Sequence, residues 1–230
     1  MSEEKPAHAP HMAIKLRKFD RVCPITGYKE GSIKVGSPVI VQTDRGVEYG
    51  EILEYKFGLP KAQSRDVKLK KVLRYATAQD IDKVRGLPDL EEKAISISAQ
   101  KILEHELPIK IVSAEYLFDA NRAIIYYKVQ EGKKIKNLRD LTRDLSSSLE
   151  ARISLRQVSP RDEARMCGGL GPCGRPLCCA AWLEKPRHVT VRMVKDQGLQ
   201  ISPTKTSGIC GRLMCCLEYE YGKNDKGGRS

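Results

Sequence analysis

From Ala13 the pattern of hydrophobic and polar positions becomes β-like. Pro38-Val39-Ile40-Val41-Gln42-Thr43 is rich in β-branched residues, Asp44-Arg45-Gly46 supplies turn chemistry, and Val47-Glu48-Tyr49-Gly50-Glu51-Ile52-Leu53 alternates after it. That spacing predicts a hairpin inside a small β domain over residues 12–72. The period then lengthens. Thr77 to Asp80 opens a helix over Ala78–Arg85, Gly86-Leu87-Pro88 breaks it, and Asp89–Glu106 resumes it with Leu90, Ala94, Ile97, Ile102 and Leu103. Ile109–Phe118 and Arg122–Gln130 alternate as strands on either side of the turn Asp119-Ala120-Asn121. Ile135–Leu149 sets Leu138, Leu141, Leu145 and Leu149 on one helical face, and Arg152–Val158 reads as a third strand. The order α-β-β-α-β predicts helices packed on one face of a sheet over residues 73–160. The expected class is α+β, with a small N-terminal β domain, this central layer, and a cysteine-rich metal-binding region at 161–221. A polar tail at 1–11, expected to be disordered, and a flexible tail at 222–230 complete the organisation.

Composition narrows the function classes. The chain has 230 residues, one or two domains' worth, enough to bury a core without disulfide staples. Hydrophobic residues make up 40% and charged residues 30%, the balance of a soluble globular protein. No apolar run approaches the roughly 18 residues of a membrane span. Met1 to His11 has no apolar stretch of the kind a secretory signal carries, so a cytoplasmic protein is expected. The net charge of +12 is uneven: residues 1–120 carry 20 Lys/Arg against 18 Asp/Glu, and residues 121–230 carry 21 against 11. A basic half favours an anionic partner, nucleic acid or an acidic protein. Because the cations are dispersed, a merely solvated basic face is the competing reading. Aromatic residues are only 6%, which argues against a base-stacking platform.

Seven of the eight cysteines fall between 167 and 216. The vicinal pairs Cys178-Cys179 and Cys215-Cys216 suit disulfides poorly, because adjacent Cα atoms lie only about 3.8 Å apart. In a chain without a secretory signal, such clustering points to metal or redox chemistry. The cysteines also repeat. Gly171-Pro172-Cys173-Gly174-Arg175-Pro176-Leu177-Cys178-Cys179 is echoed by Gly208-Ile209-Cys210-Gly211-Arg212-Leu213-Met214-Cys215-Cys216, a pattern G-x-C-G-R-x-[LM]-C-C offset by 37 residues. Glycines such as Gly174 and Gly211 permit turns closed to other residues, which aim amides and thiolates into one pocket. Each paired cysteine is expected in the first turn of a short helix, where the dipole lowers a thiol pKa. Arg175 and Arg212 are expected to offset thiolate charge. These features describe a soft-metal site with Cys173, Cys178, Cys179, Cys210, Cys215 and Cys216 as ligands and Cys167 as an optional one.

The spacing C-x4-C-C leaves the metal open. It lacks the C-x2-C knuckle usual for structural zinc. It shares one spacing with plant-type iron–sulfur proteins without their second pair. Cys23 stands alone and reads as buried. His188 reads as the start of a strand, His105 as a partly exposed surface residue, and His8 and His11 as part of the tail. Gly169-Leu170-Gly171-Pro172-Cys173-Gly174 satisfies G-x-G-x-x-G, but no strand leads into it, so a dinucleotide site is disfavoured. No Walker A, G-x-S-x-G or His-rich hydrolase pattern is present.

Several segments together resemble the RicT (YaaT) family, bacterial proteins with the polymerase-suppressor C-terminal conserved region. They are Gly46-Val47-Glu48-Tyr49-Gly50-Glu51, Arg74-Tyr75-Ala76-Thr77, Arg156-Gln157-Val158, Asp162-Glu163-Ala164-Arg165, Gly168-Gly169, both cysteine repeats, Val194-Lys195-Asp196-Gln197 and Ser202-Pro203-Thr204-Lys205. The resemblance implies a non-catalytic subunit carrying a four-iron four-sulfur cluster, with the six repeat cysteines among its ligands. It implies small helical partners of the RicA and RicF kinds, the endoribonuclease RNase Y whose mRNA processing the complex promotes, and an influence on developmental programmes; RNA is a further candidate partner on the charge of the basic half, with direct contact left open. Two other functions compete: a zinc-stabilised nucleic-acid-binding module, and a thiol redox protein.

Overall fold

The computed structural model describes residues 12–19, 22–26, 34–54, 70–130, 132–133, 135, 137–183 and 186–224. The expected tail at 1–11 lies outside them, as do residues 225–230 of the expected C-terminal tail. Five strands close a barrel: β1 (Met12–Leu16), β2 (Val22–Thr26), β3 (Pro38–Thr43), β4 (Gly46–Glu54) and β5 (Lys70–Tyr75), in the order β1-β2-β5-β3-β4. Alternation puts one side of each strand inward. Ile14, Leu16, Ile25, Val39, Val41 and Ile52 fill the interior, and Cys23 packs half-buried against them. β3 and β4 form the expected hairpin, paired from Pro38↔Glu51 to Thr43↔Gly46. β1 and β4 approach so closely at Gly50 that a Cβ there would stand 2.3 Å from the Ile14 side chain and 2.9 Å from the Lys15 carbonyl oxygen. The barrel extends three residues past the expected boundary at 72, because β5 is needed to close it between β2 and β3.

The central layer follows the predicted order. It comprises α1 (Ala78–Glu104), β6 (Ile109–Tyr116), β7 (Arg122–Val129), α2 (Leu138–Leu149) and β8 (Arg152–Gln157). β6 and β7 pair antiparallel, and β8 returns parallel to β7 after the α2 crossover. Both helices cover one face of the sheet, burying Leu87, Ala94, Ile102, Ile125, Tyr127, Leu141 and Leu145. The other face holds Leu117, Ile124, Tyr126 and Val158, with Phe19 of the barrel domain and Met166 packed on it.

The expected break at Gly86-Leu87-Pro88 does not occur: α1 is continuous through Pro88. An interior proline costs about 3 kcal/mol. Docking on both sides offsets it, with Leu87 buried before Pro88 and Glu91 buried after it. Glu91 accepts ion pairs from Arg17 and Lys18 of the barrel domain and the Tyr116 N–H at 3.0 Å. The buried stripe of α1 is Leu87, Glu91, Ala94, Ser98 and Ile102, so Leu90 and Leu103 face outward, contrary to the expected apolar face. The helix starts in a reciprocal cap: Thr77 accepts from the Asp80 N–H at 3.3 Å, and the Asp80 carboxylate accepts from the Thr77 N–H at 2.8 Å.

A second ion cluster joins the barrel to the sheet. Arg45, in the β3–β4 turn, contacts Glu48 at 2.6 Å and Glu115 of β6 at 2.7 Å. Thr43 donates to Glu48 at 2.6 Å and Tyr126 to Glu115 at 2.7 Å. Both carboxylates are buried. Hydrogen bonds and charge from the two glutamates outweigh burial and hold the Arg45 guanidinium pKa well above its ordinary value.

Five short helices close the chain: α3 (Pro160–Cys167), α4 (Cys178–Ala181), α5 (Val191–Asp196), α6 (Pro203–Thr206) and α7 (Cys215–Asn224). α7 carries the helical backbone to Asn224, past the expected limit of 221. His188 is exposed in the irregular segment before α5, not in a strand, because Thr190 caps that helix by accepting from the Met193 N–H. Among the described residues no helix is long and apolar enough to cross a membrane.

Candidate metal centre

The two cysteine repeats fold into the same loop twice. In the first, Leu170 and Pro176 form an antiparallel bridge, the Gly171 N–H donates to the Arg175 carbonyl at 2.8 Å, and the Gly174 N–H donates to the Gly171 carbonyl at 2.9 Å. In the second, Ser207 and Leu213 bridge, Gly208 donates to Arg212 at 2.9 Å, and Gly211 donates to Gly208 at 2.9 Å. Gly174 and Gly211 take φ of 74° and 72°, the left-handed conformation that a Cβ disfavours. The glycine after each first cysteine is thus a requirement of the turn. Each loop runs directly into a helix that begins at its vicinal pair, α4 at Cys178 and α7 at Cys215.

The loops line one pocket. Cys173, Cys178 and Cys179 of the first repeat share it with Cys210, Cys215 and Cys216 of the second, beside Leu177, Leu213 and Met214. Its volume, about 60 Å³, suits an inorganic group far better than an organic ligand, whose pockets run to hundreds of Å³. Cys179 is buried, Cys173 is exposed, and the other four are half-buried. Cys167 ends α3 exposed and does not line the pocket. Cys23 lies in the barrel, and His105, at the end of α1, contacts Asp144 of α2 at 2.7 Å.

Burial raises the thiol pKa values of Cys179, Cys215 and Cys216. The sequence led to the opposite expectation, from helix dipoles. Loss of solvent at the pocket is the largest cause for all three. The thiols also raise one another across the repeats: Cys210 acts on Cys179, Cys178 and Cys179 on Cys215, and Cys173 and Cys178 on Cys216. The opposing cations are not Arg175 and Arg212, which are exposed, but Arg161 and Arg165 of α3. Arg161 lowers the pKa of Cys179 and Cys215, and Arg165 that of Cys179. Arg165 falls in the Asp162-Glu163-Ala164-Arg165 segment that carries the family resemblance, whereas Arg161, 12 residues upstream of Cys173, lies in no motif that the sequence singles out.

Whether a soft metal suits this pocket depends on its donors. Six thiols surround an apolar space, the ligand chemistry that zinc and iron–sulfur clusters share. The Nε–H of Arg161 is buried without an acceptor. As the side chains stand, no group of three or more His, Cys, Asp or Glu among the described residues is close enough to hold an ion.

Comparison with known proteins adds the family. Residues 70–158 match the PSP1 C-terminal conserved region, and residues 188–224 match the third domain of PSP1-like proteins. The first match begins on β5, so the conserved region includes the strand that closes the barrel. The second covers only the second cysteine repeat. Stage 0 sporulation protein YaaT of Bacillus subtilis is 44% identical over 190 residues, 82% of this chain and 67% of that protein. An uncharacterised protein of Schizosaccharomyces pombe is 22% identical over 154 residues, 56% of this chain and 20% of that protein. No solved structure matches the chain. Similarity to YaaT over most of its length, with both PSP1 regions in order, makes this chain a member of the YaaT (RicT) family.

Proposed function

We propose that the chain is a non-catalytic regulatory subunit that carries a thiolate-bound iron–sulfur cluster, of the four-iron four-sulfur type, and acts within a larger complex. The observation that carries this reading is the convergence of six cysteines, from two repeats 37 residues apart in sequence, on one small apolar pocket. Cys173, Cys178 and Cys179 would hold the group from one side and Cys210, Cys215 and Cys216 from the other, with the Gly174 and Gly211 turns fixing the loops. When bound, such a cluster supplies one-electron redox chemistry and a staple between the repeats. The name of the Bacillus relative, a sporulation protein, supports a role in a developmental programme. The family resemblance supports RicA-like and RicF-like partners and mRNA processing by an endoribonuclease such as RNase Y.

The test is metal and sulfide analysis, with an absorption spectrum, on the full chain purified without oxygen. Iron with matching acid-labile sulfide is the expected result. Stoichiometric zinc without sulfide would replace this reading with a zinc-stabilised nucleic-acid-binding module. Metal-free thiols that exchange rapidly with disulfides would replace it with a thiol redox protein.

A further inference from the structure

α3 lays Arg161, Ala164 and Arg165 along one face, at spacings of three and four residues. Ala164 lines the cysteine pocket and packs with Leu177 and Cys179. Its small side chain lets the helix approach the thiols. One turn earlier, Arg161 reaches the Leu213 carbonyl oxygen through Nη2 at 3.5 Å, two residues before Cys215. Among the described residues only two buried side-chain polar atoms lack a hydrogen-bond partner, Ser98 Oγ and Arg161 Nε. The Ser98 hydroxyl belongs to α1 and its packed face. The Arg161 Nε–H is a charged donor, costly to leave unmet. The carboxylates nearest in sequence are engaged elsewhere: Asp162 in the cap with Ser159 at 2.7 Å, and Glu163 with Lys128 at 2.5 Å.

We infer that Arg161 is a positioning residue for the metal centre: its Nε–H donates to an anionic sulfur of the filled site. The inference rests on the metal reading above. Thiolates gathered on a metal leave a net negative charge in a half-buried pocket, and a hydrogen bond to sulfur offsets that charge and orients the ligand. A guanidinium holds one N–H on the sulfur and another on the Leu213 carbonyl at once. A lysine keeps the charge but loses the planar fork.

The experiment is anaerobic titration of Co²⁺ into the full chain, Arg161→Met and Arg161→Lys, with Zn²⁺ as competitor and thermal melting of each metal-free chain. The expected result is thiolate-to-cobalt charge-transfer absorption in all three. Affinity should be weakened about 10–100-fold in Arg161→Met and by less in Arg161→Lys. Metal-free Arg161→Met should melt at or above the temperature of the unaltered chain, because the unmet donor is gone. Equal affinities in Arg161→Met and the unaltered chain overturn the inference, as does a lowered melting temperature with unchanged affinity, which marks a purely structural arginine. Should Arg161→Met fail to fold, Arg161→Lys decides alone: unchanged affinity and spectrum overturn the hydrogen bond. An unaltered chain that takes up neither Co²⁺ nor Zn²⁺ overturns this inference, whereas the metal reading on which it rests stands or falls on iron and sulfide in the chain purified without oxygen.

Discussion

Asp80 shows how much one side chain at a helix start can do. Its carboxylate pairs with Arg74 of β5 and accepts the Thr77 N–H, tying the end of the barrel to the start of α1. The hydrogen bond from Arg74, then that from the Thr77 backbone, hold its pKa far below the carboxylate range. A carboxylate with a depressed native pKa stabilises the fold above its unfolded pKa of about 4, and that stability is lost as pH falls through the native value. Asp80→Asn should therefore be less stable than the unaltered chain at pH 7, with the gap closing below about pH 4. Urea unfolding at a series of pH values checks this, and a gap independent of pH would exclude the ion pair as its cause. The Thr77…Asp80 cap was readable from spacing. The partner Arg74 was not, because it lies on a different element and only barrel closure brings it near. The same holds for Arg161, which chemistry at the cysteine loops singles out and local sequence does not.

At the scale of elements, α1 combines a poor helical sequence with a firm tertiary position. Gly86 is exposed in mid-helix, and a Cβ there meets nothing within 4 Å. Gly86→Ala should stabilise the protein by about 0.5–1 kcal/mol through the lost freedom of the unfolded chain, measured by chemical unfolding; a destabilised variant would show that the Gly86-Leu87-Pro88 turn departs from regular helix. The hairpin turn of β3 and β4 carries the opposite kind of residue. Arg45 is the cation between two buried glutamates from different layers. Arg45→Met removes the cation that both carboxylates share and should cost about 3–5 kcal/mol. A loss under about 1 kcal/mol would mean that their remaining partners, Thr43 and Tyr126 among them, satisfy them. Helix and strand spans were legible for α2, β3, β4, β6, β7 and β8 from local side-chain pattern and turn residues, even though β7 buries both of its faces. The apolar face of α1 was misread, since Glu91 and Ser98 occupy its inward stripe; Arg17, Lys18 and the Tyr116 N–H, all distant in sequence, make Glu91 acceptable there.

For the whole molecule, the barrel, the sheet layer and the cysteine loops have separate cores. Cys178→Ser combined with Cys215→Ser should thus abolish metal uptake while leaving residues 12–158 folded. Metal analysis with circular dichroism checks this, and a double variant that retains iron would remove both residues from the ligand set. The sequence by itself determined the hairpin, the order of the α-β-β-α-β layer and the duplicated loop, because turn glycines, side-chain period and helix caps act over a few residues. Tertiary structure alone decided that the barrel closes through β5, that α1 runs through its proline, that burial raises the thiol pKa values, and that two loops 37 residues apart share one pocket. Those outcomes depend on burial and on charges brought together from distant segments, and no short stretch of sequence carries that information.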